Sequence, residues 1–216
     1  MTPTIALAFM MVAVEWKWYS MVLVIWLGHH CLLRPAELVS LALRDCRPDA
    51  GFFAFGMDLL PGLVILRCPK TRHSGPRRQH VVIHDPELLH LLRLLHASQS
   101  ADGLVFSGNL RELRQAFAQI CAVLDLPVGV YTPGTLRPGG ATFFYFATLS
   151  IPALKPRGRW ASDRALEHSI SECSAADAAI RMSVNAIWKI KTACRQANAY
   201  LEQWRFSMAA QNGKAG

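Results

Sequence analysis

At the start of the chain apolar side chains are so dense that no helical face is left for solvent. "IALAFMMVAV" and "MVLVIWLG" are separated by Glu15 and Lys17, and they predict buried helices over 4–14 and 18–31. "RPAELVSLALRD" at 34–45 continues as a third helix. Pro35 sits at an early helical position, where its missing N–H costs nothing, and Glu37 lies in the first turn, where a carboxylate meets the positive helix end. Short β-rich runs follow, "GFFAFG", "GLVILRC" and "QHVVIHD", bounded by Gly, Pro and Asp. They predict a small antiparallel sheet at about residues 51–84, with the basic stretch 70–79 joining its last two strands. Helical spacing returns in "DPELLHLLRLLHA", in "NLRELRQAFAQICAVLDL" at 109–126, in the segment from 134 and in "SDRALEHSISE". A long helix at about 175–207 carries Ile180, Val184, Ile187, Cys194, Leu201 and Trp204 near helical spacing, and 209–216 reads as a flexible tail. The pattern is that of a mainly α chain with a small antiparallel β-sheet, a single α+β domain over 1–208.

Composition narrows the class. A chain of 216 residues suits one well-cored domain, and 52% hydrophobic against 18% charged residues excludes a disordered one. The same figures raise a membrane protein. Yet neither apolar run reaches the roughly 18–20 residues that cross a bilayer, and "MTPTIALAF" has no basic residue ahead of its apolar stretch, as a secretory signal would. The chain is read as soluble and intracellular, nucleus or cytoplasm undistinguished. Cysteines at 31, 46, 68, 121, 173 and 194 form no CxxC pair and read as reduced core residues. In "HHC" at 29–31 adjacent residues project in different directions without a partner set, so no metal or cofactor is expected.

Lys and Arg outnumber Asp and Glu by 23 to 15, a formal charge of +8, which favours a polyanionic partner. Lys70, Arg72, Arg77 and Arg78 crowd into the Gly-Pro-containing loop "KTRHSGPRRQH", and Lys155, Arg157 and Arg159 into "LKPRGRW" at 154–160. Either cluster alone reads as a solvated loop. Together, beside arginines suited to phosphate, they are candidate DNA-binding residues, and the implied partner is double-stranded DNA.

The order of features then carries a resemblance. A helix with "LLRPAEL", a small sheet with a lysine between strands, further helices, "TLRPGGATFF", then "GRW" and a short helix, spread over roughly residues 20–175, are similar to the catalytic domain of the tyrosine recombinase and phage integrase family. That family breaks and rejoins DNA strands. The resemblance puts Arg34, in "CLLRPAEL", at the first arginine of its G-x-R-x-x-E context, with Glu37 following and Asp45 at the acidic position after the helix. It puts Lys70 at the hairpin lysine that acts as a general acid, and Arg137 at the arginine of H-x-x-R. Trp160 falls in the G-H or G-W box, where an indole N–H can donate to a phosphate. Two guanidinium forks, Arg34 and Arg137, would face the phosphate oxygens and offset charge growing on phosphorus. An arginine at 137 also has the bland role of capping helix-end carbonyls or pairing with Glu37.

Two positions depart from the pattern. Gly134 stands at the family's histidine, where no side chain can shuttle a proton. Ser169 stands at the tyrosine nucleophile, with a shorter reach and a far less acidic hydroxyl. These departures predict lost or impaired cleavage, a DNA-binding pseudoenzyme. The alternatives are an active recombinase using Ser169, Tyr200 or a partner's tyrosine, and a helical membrane or structural protein. The family's N-terminal core-binding domain completes a clamp round the duplex, so the resemblance also implies a separate clamping domain or other recombinase subunits as partners.

Overall fold

The computed structural model describes residues 1–49, 62–67, 79–171 and 182–212. Two helices open the chain, α1 (Pro3–Glu15) and α2 (Tyr19–His30), near the bounds that their apolar runs predict. Thr2 caps α1 by accepting the Ile5 N–H at 3.3 Å. Helix α2 has no polar side because it lies in the middle: Met21, Leu23, Val24, Ile25 and Leu27 are all at most 1% exposed.

Helix α3 spans only Pro35–Ser40, which corrects the expected run to 45. Leu41 is extended, at φ −80° and ψ 123°, and Leu43–Asp45 forms a short 3-10 turn. The backbone leaves the helix because it has better partners elsewhere. The Leu43 and Arg44 N–H groups donate to the carbonyls of Gly103 and Ala101, and the Val105 N–H donates to that of Leu41. Non-local pairing of this kind overrides local propensity.

The sheet is antiparallel, in the order β1 (Cys46–Arg47), β2 (Gly62–Leu66), β3 (Gln79–Ile83). Cys46 opposes Val64, and Val64 opposes Val81. Val64, Leu66, Val81 and Ile83 bury one face. Among the described residues the first strand is thus Cys46–Arg47, ahead of the expected position, and "GFFAFG" at 51–56 lies outside the described residues.

Helices α4 (Pro86–Ser98), α5 (Leu110–Val123), α6 (Leu136–Thr148), α7 (Ile151–Gly158), α8 (Asp163–Ser171) and α9 (Val184–Asn212) complete the fold. Asp85 caps α4 by accepting the Leu88 N–H, and Asn109 with Glu112 forms a reciprocal capping box on α5. Residues 182 and 183 precede α9, where the Ser183 hydroxyl accepts the Ala186 N–H. The helix runs to Asn212, into the stretch read as a tail. Among the described residues no helix is long and apolar enough to cross a membrane.

Two cores result. The larger surrounds Phe9, Leu23, Ile83, Leu88 and Phe117. The smaller joins Leu32, Ala141, Leu154, Trp160 and Leu166, and so fastens α6, α7 and α8 to the end of α2. The Gly-Gly pair in "LRPGGAT" exists for this junction: a Cβ on Gly140 would lie 1.8 Å from the His29 carbonyl oxygen, and one on Gly139 equally near that of Met1. Both are backbone atoms that cannot swing aside.

Gly140→Ala is therefore expected to lower stability by about 3 kcal/mol, the upper part of the usual overpacking range. Gly134→Ala, whose Cβ would meet only the Thr132 hydroxyl at 3.4 Å, should stay within about 0.5 kcal/mol of the unaltered protein. Urea unfolding of the two variants, compared at equal slope, checks the contrast.

Candidate functional site

After α2 the chain turns sharply. Leu32 has φ +55°, a left-handed backbone that costs a non-glycine residue roughly 1–2 kcal/mol. Its side chain is fully buried in the smaller core, and burying a leucine is worth roughly 1.5–3 kcal/mol, enough to hold the turn. The turn sends the next residues into α3, with Arg34 at its N-cap. Glu37 reaches back, accepting the Arg34 backbone N–H at 2.8 Å and its Nη1 at 2.9 Å.

A second chain segment reaches the same carboxylate. Helix α7 ends at Gly158, and Arg159 follows at φ +59°. Its Nη1 and Nη2 donate to Oε1 and Oε2 of Glu37 at 3.3 and 3.0 Å, and Nη2 also donates to the Leu32 carbonyl at 3.0 Å. The side chains of Glu37 and Arg159 are 5% and 7% exposed, whereas that of Arg34 is 23% exposed and forms the solvent side of the group.

Arg137 stands in the first turn of α6 and is buried. Its Nη1 donates to the Leu32 carbonyl at 3.1 Å, and its Nη2 to the Gly158 carbonyl, at the end of α7, at 2.7 Å. The guanidinium carbon lies 4.5 Å from the centre of the Trp160 ring. In this structure the cation between the proline–glycine pairs thus braces helix-end carbonyls, and the Glu37 carboxylate belongs to Arg34 and Arg159.

Charge in the group is unbalanced. Burial alone would raise the Glu37 carboxyl, but Arg159 and then Arg34 outweigh it and hold the group below the ordinary carboxylate range. Burial, then repulsion from Arg34 and Arg159, pushes Arg137 down to about 9. Arg159 is lowered mainly by burial, with Glu37 opposing. Two guanidinium groups on one carboxylate, with Arg137 beside them on the Leu32 carbonyl that Arg159 also reaches, leave an excess of positive charge on a partly dehydrated surface.

Trp160 packs in the smaller core, and its Nε1 donates to the Ser169 Oγ at 3.1 Å. Ser169 in turn donates to the Ala165 carbonyl, one turn back in α8, at 2.9 Å. The serine proton is committed to the helix backbone. Gly134 sits in the 3-10 turn Pro133–Thr135 before α6. Tyr200 lies elsewhere, lining an apolar groove of about 600 Å³ with Leu7, Met10, Trp26 and Leu94, and no residue of the arginine group lines that groove.

The segment 154–160 is not the solvated basic loop of the sequence pattern. Lys155 and Arg157 lie on α7, and Lys155 pairs with Asp163 at 2.8 Å. Arg157 turns inward, donating to the His30 carbonyl at 2.9 Å over the Phe144 ring. The loop with Lys70, Arg72, Arg77 and Arg78 lies outside the described residues. Asp45 pairs with Arg67 at 2.7 Å, apart from Glu37. Arg159 stood among the DNA-binding candidates, but its pairing with Glu37 carries no local sequence signal, because its partners are more than a hundred residues away.

His29 and His30 gather no metal-binding partners: no group of three or more ligand side chains exists among the described residues. Burial, mainly, lowers both to about 4, and each Nε2 is buried without a hydrogen-bond partner.

No protein-family model matches the chain, and no curated protein matches its sequence. Among solved structures it is similar to the crystal structure of XerA recombinase, with a TM-score of 0.56 at 14% identity, over 89% of this chain. The chain has a tyrosine-recombinase-like fold. It spans 63% of the length of that recombinase chain.

Removing the shared carboxylate with Glu37→Gln should cost about 3–5 kcal/mol, the usual result of stripping a buried ion pair of one partner, as read by chemical denaturation at pH 7. Acid should act through two sets of groups. Below about pH 6.5 the unfolded histidines take up protons that buried His29 and His30 refuse until about pH 4, so stability falls across that window. Glu37, lowered in the folded state, adds its loss below the ordinary carboxylate range. A pH series of thermal midpoints should show the decline from pH 6.5 to 4 shrinking in His30→Gln.

Proposed function

We propose that this chain is a DNA-binding protein on the recombinase catalytic fold, holding a backbone phosphate at Arg34 with Arg137 and Arg159 behind it, and that it does not cleave the strand. The observation that supports this reading is the gathering of three guanidinium groups, Arg34 and Arg159 on Glu37 and Arg137 beside them on the Leu32 carbonyl, in a fold similar to that of a recombinase. Phosphate contacts of this kind fix position and register without reading sequence, so affinity is broad and salt-dependent. Lys70 and its basic neighbours would extend the grip along the duplex. A clamping domain or further subunits from outside the chain would close it.

The loss of cleavage rests on Ser169 and Gly134. A hydroxyl that donates to its own helix and accepts from Trp160 has no base to take its proton. Gly134 offers no acid or base in its place. Tyr200, in its apolar groove, gives no support to a substitute nucleophile.

With about three phosphates neutralised, duplex affinity should fall about 40-fold between 50 and 200 mM salt. Fluorescence anisotropy on two unrelated duplexes should give similar curves, and Arg34→Ala should weaken both about tenfold. On a nicked suicide duplex the unaltered protein should form no covalent adduct. Salt-independent binding would overturn the DNA-binding reading, and a gel-stable adduct lost in Ser169→Ala would overturn the loss of cleavage.

A further inference from the structure

The strangest choice in this site is the residue before Trp160. Arg159 has φ +59°, a backbone that glycine adopts freely and an arginine adopts at a cost. The chain does carry a glycine there, one residue early, but it answers a different demand. A Cβ on Gly158 would sit 1.4 Å from the Trp160 ring, so that glycine makes room for the indole. The left-handed position itself is given to a long cation.

An arginine that only finished a helix would send its charge to water. This one folds inward and is 7% exposed. It reaches both oxygens of Glu37, and the Leu32 carbonyl as well, all three acceptors lying at the far end of the sequence. Glu37 is also the residue that orients Arg34, through the Arg34 Nη1 and backbone N–H. Arg34 is the most exposed of the three arginines and the first that an incoming anion meets.

We propose that Arg159 is a positioning residue of this anion site: by clamping both oxygens of Glu37 it fixes the carboxylate that aims Arg34, without itself contacting the bound phosphate. This rests on the reading of the site as a phosphate-binding surface. Burial would otherwise favour a neutral Glu37, and Arg159 is the strongest influence in the opposite direction, which agrees with the geometry. The planar fork is essential, because a lysine ammonium cannot bridge two oxygens and a carbonyl in fixed directions.

The test is a double-mutant cycle on binding to a duplex oligonucleotide, with Arg159→Gly, Glu37→Gln and the pair, each measured over a salt series. Arg159→Gly suits the left-handed backbone, and Arg159→Lys is the second variant, which keeps the charge and most of the side chain. A positioning role predicts about tenfold weaker binding in Arg159→Gly with an unchanged salt slope, comparable weakening in Arg159→Lys, and little further loss when Arg159→Gly is added to Glu37→Gln. A direct phosphate contact predicts instead a slope reduced by about one, rescue by Arg159→Lys and additive losses, and would overturn the inference. So would unchanged affinity in Arg159→Gly while the unaltered protein binds duplex normally. If the unaltered protein shows no salt-dependent binding at all, the phosphate-binding reading fails, and the inference fails with it.

Discussion

The Glu37 carboxylate is the fixed point of this molecule. It is buried, shared by Arg34 and Arg159, and lies where the turn after α2 meets the end of α7. Each of those segments has a reason of its own to be there. Leu32 takes a left-handed backbone so that its side chain fills the smaller core, and the same turn aims its carbonyl at Arg137 and Arg159 together. Gly140 lets α6 approach α2 to backbone contact, which brings Arg137 within reach of that carbonyl. Gly158 leaves room for the Trp160 ring, on which Arg137 rests. The local devices converge on one carboxylate and one carbonyl.

A charge arrangement of this kind is not a stability device alone. A buried ion pair roughly breaks even against apolar side chains of the same volume, and here two extra cations are added to one carboxylate. On the proposed reading, an anion that reaches Arg34 would offset this excess. Arg137 and Arg159, spent on carbonyls and on Glu37, set the potential from behind, so the geometry suits a group held at the surface, such as a backbone phosphate. Beside the arginine group, the Trp160 N–H and the Ser169 hydroxyl are already satisfied by each other and by the Ala165 carbonyl.

Much of the fold was legible because it is written locally. The apolar runs of α1 and α2, the β-rich runs of β2 and β3 between Gly, Pro and Asp, and the helical spacing of α4 and α5 all show in short windows. The errors fall where distant partners decide. Leu41–Asp45 has the composition of a helix but leaves it for the carbonyls of Ala101 and Gly103. Lys155–Arg159, a candidate DNA-binding cluster by composition, lies at the end of α7 with Arg157 and Arg159 turned inward, a direction their sequence does not show. At the site, Arg34 and Glu37 were legible as candidates three residues apart, but Glu37 was offered as a partner for Arg137, and its pairing with Arg34 and Arg159 follows from the tertiary fold.

The proposed site places the Arg34 face of this group against a DNA backbone phosphate. A crystal structure of the protein with a short duplex tests it most directly. A phosphate oxygen is expected within hydrogen-bond distance of the Arg34 guanidinium, with the Arg159–Glu37 clamp unchanged from the free protein. A duplex lying across another face, with Arg34 left in solvent, would contradict it.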